Sequence, residues 1–156
     1  MKKILVLLAG IFMLVSSRAQ EAPKIAVLVY GNNSGVNEFI QNELITAFTD
    51  DGTYIVCERQ EEFIALINKE HSFQQSGMVD DRYIIQMAKK LGAEYVCCFK
   101  MLDIVFGEQP IAARILSVEK GTVVRSVQWS GVMNSMNDVR AATKTICRKM
   151  TRSSDL

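Results

Sequence analysis

The sequence lacks most of the features that identify a catalytic or metal-binding protein. Its 156 residues include one histidine, His71, and no CxxC or HExxH pattern that would indicate a metal site. A single imidazole without a second ligand or a nucleophilic serine motif does not make a catalytic centre. Its helical neighbour Glu70 would point about 100° away from it. The sequence therefore predicts no catalytic residue, no metal ligand and no cofactor, and a protein that is not an enzyme.

A signal peptide is predicted at the N-terminus. Lys2 and Lys3 precede an apolar run over residues 4–15, and Ser17 and Ala19 supply small residues where signal peptidase reads the chain. The run is shorter than the roughly 20 residues that cross a bilayer, which argues against the alternative of a membrane anchor. We expect residues 1–19 to be removed and residues 20–156 to form a single periplasmic domain. No cysteine lies near the cleavage point, so no lipobox is expected.

The expected mature chain has no excess of positive charge. The signal peptide carries Lys2, Lys3 and Arg18, so its removal takes the 18 basic residues to 15 against 17 acidic residues, a net charge of −2. Domains that bind nucleic acid present a basic stripe, so nucleic acid is not an expected partner. A basic cluster over residues 144–152 lies at the end of a predicted helix, where it complements the helix dipole.

The four cysteines do not form a disulfide framework. Cys57, Cys97, Cys98 and Cys147 lie in apolar surroundings, and their spacing is neither CxxC nor that of a small secreted scaffold. Two interpretations stay open at this point. The four are buried free thiols, or Cys147 forms one bridge with Cys97 or Cys98.

Hydrophobic patterning in the first third of the mature chain predicts a parallel strand–helix–strand unit. The run KIAVLVY over residues 24–30 is typical of a strand buried on both faces. Apolar residues recur at helical spacing from Val36 to Phe48, and residues 50–52, Asp-Asp-Gly, end that helix. Residues 54–57 form a second strand, and this order favours a right-handed connection between parallel strands.

The remainder predicts two helices, three strands and a last helix. The two helices cover residues 60–73 and 81–91, with Asp80 or Asp81 as the cap of the second. Strand-like runs at residues 94–106, 111–118 and 122–132 are separated by short Gly-containing turns that indicate antiparallel hairpins. The last helix begins at Ser135, with Asp138 completing a capping-box-like pair. The predicted order is β-α-β-α-α-β-β-β-α, an α/β fold arranged as a three-layer α/β/α sandwich with a mixed sheet of about five strands.

Glu70 lies on the apolar stripe of the helix predicted over residues 60–73. It shares that stripe with Phe63, Leu66 and Ile67, and an inward-facing charge costs several kcal/mol unless it is paired or hydrogen-bonded. We expect its carboxylate to accept hydrogen bonds from backbone amides of the turn at residues 75–77. Its predicted role is therefore architectural.

Four short motifs occur in a characteristic order along the chain. They are Glu58-Arg59-Gln60, Asn68-Lys69-Glu70, Gln75-Ser76-Gly77 and Leu91-Gly92-Ala93. With the hairpin LSVEKGTVVRS, this order resembles the domain family of the curli secretion channel subunit, the CsgG-like family. It is also similar to the lipoprotein activators of penicillin-binding proteins and to the N-terminal domain of the Tol-system β-propeller protein. The resemblance implies structural roles for Glu58, Arg59, Gln60, Glu70, Ser76, Gly77 and Gly92.

The chain departs from the channel subunit in two respects. It offers no cysteine for acylation, and its connections of four residues at Gly107 and three at Glu119 are too short for long membrane-inserting hairpins. The resemblance therefore implies a stand-alone periplasmic domain without enzymatic activity. Its expected partner is a protein of the bacterial envelope, in outer-membrane assembly or transport, with peripheral association with the outer membrane.

The loop GNNSG over residues 31–35 is the best position for a small ligand. It follows a buried strand and opens a helix, where open α/β sheets bind ligands. It lacks the lysine and the glycine spacing of a phosphate loop, so a turn with Ser34 as N-cap is favoured. Asn32, Asn33 and Ser34 are the candidates for the alternative function, a small-ligand-binding or hydrolytic domain.

Trp129 lies on the last predicted strand. It alternates with Val123, Arg125 and Val127, which predicts a place on a face of the sheet and favours packing over a binding hot spot. If the strand forms an edge of the sheet, a partner can add a strand to it.

Overall fold

The computed structural model describes residues 21–30, 34–57, 65, 80–102 and 107–152. The described elements are β1 (Lys24–Tyr30), α1 (Ser34–Asp51), β2 (Ile55–Val56), α2 (Asp81–Lys90), β3 (Tyr95–Met101), β4 (Gln109–Ser117), β5 (Thr122–Gly131) and α3 (Met136–Thr151). The helix predicted over residues 60–73 falls outside the described residues except at Ala65, and it stays a prediction.

The sheet is mixed and has five strands in the order β2-β1-β3-β4-β5. β1 pairs in parallel with β2 and with β3, whereas β4 pairs antiparallel with both β3 and β5. The parallel β1–β2 pair and the two hairpins agree with the sequence-based prediction. The shortest strand, β2, and the longest strand, β5, form the two edges.

Helices cover both faces of the sheet. Because successive residues of a strand point to opposite faces, Ile25 and Val27 of β1 enter one core while Ala26 and Leu28 enter the other, and all four are buried. The larger core contains the buried side chains of α1 and α3, and the smaller one contains those of α2. The predicted three-layer α/β/α arrangement is confirmed.

The helix ends follow the expected capping chemistry. The Asp80 side chain accepts a hydrogen bond from the Arg82 amide at 2.9 Å, which makes Asp80 the N-cap of α2. Gly52 and Gly92 follow α1 and α2 with φ of 71° and 73°, a left-handed conformation that glycine adopts without a steric cost. Asp81 also forms an ion pair with Arg114, which connects the start of α2 to β4.

Ser135 and Asp138 form a capping box at the start of α3, as the sequence predicts. The Asp138 carboxylate accepts hydrogen bonds from the Ser135 hydroxyl and the Ser135 amide, both at 2.9 Å, and from the Asn134 amide at 3.0 Å. The hydroxyl bond and then the Asn134 amide bond lower the pKa of Asp138 below its ordinary value of 3.8.

This capping box should make stability depend on pH in acid. Because the folded pKa of Asp138 is lower than the unfolded one, its contribution is complete above about pH 4 and is lost as the pH falls through the folded value. Urea titrations should therefore give a higher midpoint for the wild type than for Asp138→Asn at pH 6. The difference should shrink as the pH falls below the unfolded pKa of about 3.9 and through the lower folded pKa. A difference that is unchanged in acid would contradict this assignment.

None of the helices in the described part of the chain is long and apolar enough to cross a membrane.

Candidate interaction surface

β5 is an edge strand with one side already occupied. It pairs with β4 along its length, from Thr122 opposite Ser117 to Gly131 opposite Gln109, and no other described strand pairs with its outer side. It is ten residues long, contains no proline, and has Arg125 as its one charged residue. Natural edge strands are usually blunted by short length, proline or several charges. With respect to the described strands, β5 therefore leaves a long row of backbone donors and acceptors available for pairing.

A β-bulge near the start of β5 changes the face of the sheet on which Val123 lies. Arg125 pairs with Ile115, whereas Val123 pairs with Leu116, so Val124 is the extra residue. Leu116 belongs to the smaller core and Ile115 to the larger one. Val123 therefore lies on the face opposite to Trp129, which corrects the predicted alternation. Val123 and Val124 are 48% and 41% exposed, an apolar pair beside an open edge.

Trp129 packs over the last residue of its own strand. It is half-buried against the larger core, which agrees with the predicted place on a sheet face. A Cβ atom built on Gly131 would lie 2.7 Å from Cη2 and 2.8 Å from Cζ2 of the indole. Because glycine has no Cβ atom, the indole ring can lie directly over position 131.

Replacing Gly131 by alanine should displace the indole ring. We expect a loss of about 1–3 kcal/mol of unfolding free energy, as for other overpacked sites. Trp129 is the protein's one tryptophan, so its emission reports this site without interference. The emission maximum of Gly131→Ala should move to longer wavelength as the ring becomes hydrated. The neighbouring exposed residue provides the control, Ser130→Ala, and an equal shift in both variants would contradict the packing.

A depression of about 280 Å³ lies over the paired ends of β4 and β5. Its lining combines apolar and polar groups of β4 and β5, including Pro110, Ala112 and Gln128. Leu102, at the end of β3, borders it and is 41% exposed. Residues across one strand and diagonal to it are within reach of long side chains. A large apolar side chain on an added strand would thus find a surface to contact.

Few of the residues singled out in the sequence fall in the described part. Ser34 begins α1, and Gly92 follows the end of α2. The other family-motif residues and the remaining loop candidates lie outside the described residues: Glu58, Arg59, Gln60, Glu70, Ser76, Gly77, Asn32 and Asn33. His71 lies outside them as well, so the architectural role of Glu70 and the ligand loop stay predictions.

All four cysteines are buried free thiols. Cys97 packs in the larger core with Cys147, whereas Cys98 points into the smaller core on the other face of the sheet. A bridge between Cys98 and Cys147 would have to pass through the sheet. Burial raises the pKa of both Cys98 and Cys147 to about 12, which keeps these thiols protonated and unreactive at neutral pH. Within the described ranges no group of three metal-ligating side chains occurs.

Sequence patterning missed two features of this surface. The bulge at Val124 is invisible to strict alternation because one extra residue reverses the face of every position before it. The ring of Trp129 over Gly131 does have a sequence signal, since residues two apart in a strand share a face and a glycine there leaves room for a ring.

Comparisons with known proteins agree at the level of the fold. No protein family and no curated protein sequence matches the chain. The LpoB C-terminal domain from Salmonella enterica superposes with a TM-score of 0.53 at 14% identity, covering 78% of this chain and 91% of that one. A PelC dodecamer from Paraburkholderia phytofirmans gives a TM-score of 0.52 at 12% identity, covering 85% of this chain and 91% of that one.

TolB from Acinetobacter baumannii is a further structural match. It has a TM-score of 0.51 at 15% identity, and the match covers 83% of this chain but 27% of TolB. The chain thus has a fold that is also found in the LpoB C-terminal domain, in PelC and in one part of TolB.

Proposed function

We propose that this protein is a non-enzymatic, exported protein-binding module of the bacterial envelope. Its partner is an envelope protein that adds an extended segment to β5, with alternate side chains contacting Val123, Val124 and the neighbouring depression. The predicted signal peptide supports a periplasmic location. The resemblance to CsgG-like and related envelope domains supports a role in outer-membrane assembly or transport.

The ten-residue open edge of β5 is the observation that carries this proposal. Strand addition gives affinity through backbone hydrogen bonds and specificity through contacts of alternate side chains. β5 offers both, because its outer backbone row is unpaired among the described strands and two exposed valines lie beside it. The opposite edge, β2, has two residues and is too short for this purpose.

The fold comparisons support the envelope setting without identifying the partner. The LpoB C-terminal domain, PelC and TolB share the fold at identities of 12–15%. Fold likeness alone is a weak basis for function, so the proposal rests on the surface.

Site-specific photocrosslinking in cells tests the proposal. A photoreactive amino acid is introduced at Ser126, an exposed residue in the middle of β5, and separately at Thr46, an exposed residue of α1. We expect a crosslinked envelope protein from position 126 and a much weaker or absent product from position 46. Because the probe sits on the edge itself, a product identifies both the partner and the surface.

Two outcomes would overturn the proposal. Crosslinks that form at position 46 and not at position 126 would move the binding surface away from β5. A small molecule that raises the melting temperature, together with no protein product at either position, would favour the small-ligand alternative, since a ligand that binds the native state stabilises it.

A further inference from the structure

The outer surface of the α1–α3 layer contains a groove between two parallel helices. Arg140 Nε donates to Glu43 Oε1 at 2.7 Å, and eleven residues further along α3 the Thr151 hydroxyl donates to Asp51 Oδ1 at 3.2 Å. Because both contacts advance in the same direction, α1 and α3 run side by side in parallel. The groove between their C-terminal halves has a volume of about 550 Å³.

The two walls of this groove carry opposite charges. Asp50 and Asp51 line it from α1, whereas Lys144 and Arg148 line it from α3. Small side chains, among them Ala47 and Ala141, also line it and allow close approach. Asp50, Lys144 and Arg148 are exposed, and within the described residues none of the four charged groups forms an ion pair.

The acidic wall is unfavourably placed in the isolated chain. Asp50 and Asp51 occupy the last turn of α1, which contains no basic residue. The C-terminal end of a helix carries a partial negative charge, so acidic side chains there are destabilising and cations are stabilising. The last turn of α3 has the favourable arrangement, with Arg148 and Lys149. The hydroxyls of Thr53 and Thr151 donate hydrogen bonds to Asp51 but leave the negative charge of Asp50 and Asp51 in place, so a cation brought to the end of α1 would lower the free energy.

We infer that this groove is the interface of a symmetric dimer, with a second copy of this chain as its occupant. A two-fold axis that runs along the groove turns the α1 wall of one copy towards the α3 wall of the other. Asp50 and Asp51 of each copy then face Lys144 and Arg148 of its mate, and both sets of pairs form at once. Closed two-fold interfaces of this self-complementary kind are the commonest in soluble oligomers. The inference is independent of the proposed β5 surface.

Complementary charge reversal tests this interface. One variant carries Lys144→Glu and Arg148→Glu, the other Asp50→Lys and Asp51→Lys, and circular dichroism checks that both are folded. Sedimentation equilibrium should show a dimer for the wild type and at least about a tenfold weaker association for each variant alone, a free-energy loss of about 1.4 kcal/mol or more. An equimolar mixture of the two should regain association, because each variant then faces the charge it lacks.

The wild-type dimer should also weaken between about 0.1 M and about 1 M salt, as the screening length falls from roughly 10 Å to roughly 3 Å.

Three results would overturn the inference. A wild-type chain that stays monomeric up to about 1 mM has no such interface of useful strength. A dimer whose affinity is unchanged in both variants uses another surface. A mixture that associates no better than either variant alone shows that the charges do not face each other across the interface. The control variant is Asn42→Lys with Thr46→Lys. It changes two exposed residues of α1 outside the groove and should leave the dimer affinity unchanged.

Discussion

Replacing Phe48 by alanine should lower the free energy of unfolding by about 3–5 kcal/mol. Phe48 is fully buried in the larger core, near the end of α1. Its ring meets Tyr54 edge-on at 5.7 Å between centroids, and Tyr54 meets Tyr95 in turn at 5.5 Å. The substitution leaves a cavity and removes one of three aromatic rings in contact, which together link α1 to the start of β3. A domain of this size has a total stability of about 5–15 kcal/mol, so the loss is a large fraction of it.

Equilibrium urea unfolding, followed by circular dichroism, measures this effect. Phe48→Leu keeps most of the apolar volume and should cost clearly less than alanine. Val123→Ala removes methyl groups from a half-exposed side chain and should stay within about 0.5 kcal/mol of the wild type. If Phe48→Ala and Val123→Ala had similar costs, the larger core would not be centred under α1 and α3.

Introducing lysine at both Val123 and Val124 should reduce binding of the proposed envelope partner at least about tenfold, which corresponds to about 1.4 kcal/mol. Charged side chains, lysine above all, are what natural sheets use to prevent pairing at an edge. Both positions are exposed, so the change in unfolding free energy should stay below about 1 kcal/mol. The readout is the yield of the crosslinked product from position 126, relative to the wild type at equal protein level.

The control for this variant adds the same charge elsewhere. Asn42→Lys with Thr46→Lys changes two exposed positions on α1, a helix that packs against β1 and β2. It should leave the crosslinking yield unchanged. Equal losses in both double variants would mean that net charge decides binding, and the β5 edge would lose its assigned role.

The sequence predicted local features of the fold well because those features depend on nearby residues. Three such patterns involve only residues close in sequence: the apolar run of β1, the helical spacing from Val36 to Phe48 and the capping box at Ser135. Each is decided by a periodicity or a single hydrogen bond, and each appears in the structure. The antiparallel hairpins were also accessible, because their strands are joined by short turns.

The order of strands in the sheet is harder to predict from the sequence, because it depends on contacts between residues that are far apart in the chain. β1 pairs with β3, which lies some seventy residues further along the chain, and no local pattern specifies that contact. Whether β5 is an edge or a central strand follows from that order. The sequence could therefore state strand addition only as a condition, and the structure meets the condition by placing β5 at the edge.

The bulge and the charged groove were beyond sequence patterning for a different reason. At Val124 one extra residue changes which face Val123 occupies, and the apolar pattern of β5 is compatible with either register. From the sequence, the acidic pair at residues 50–51 indicates only the end of a helix. The basic residues of α3 indicate only side chains that complement the helix dipole. Their opposition across one groove depends on the parallel packing of α1 and α3.

Hydrogen–deuterium exchange at residue resolution along residues 122–131 tests the central claim most directly. In a free edge strand, alternate amides bond to β4 and the others face solvent, so protection should alternate along β5. Addition of the partner protein identified by photocrosslinking should protect the fast-exchanging amides of β5 and remove the alternation. The account predicts both results. Uniform protection of β5 in the free protein, or an alternation that the partner leaves unchanged, would contradict it.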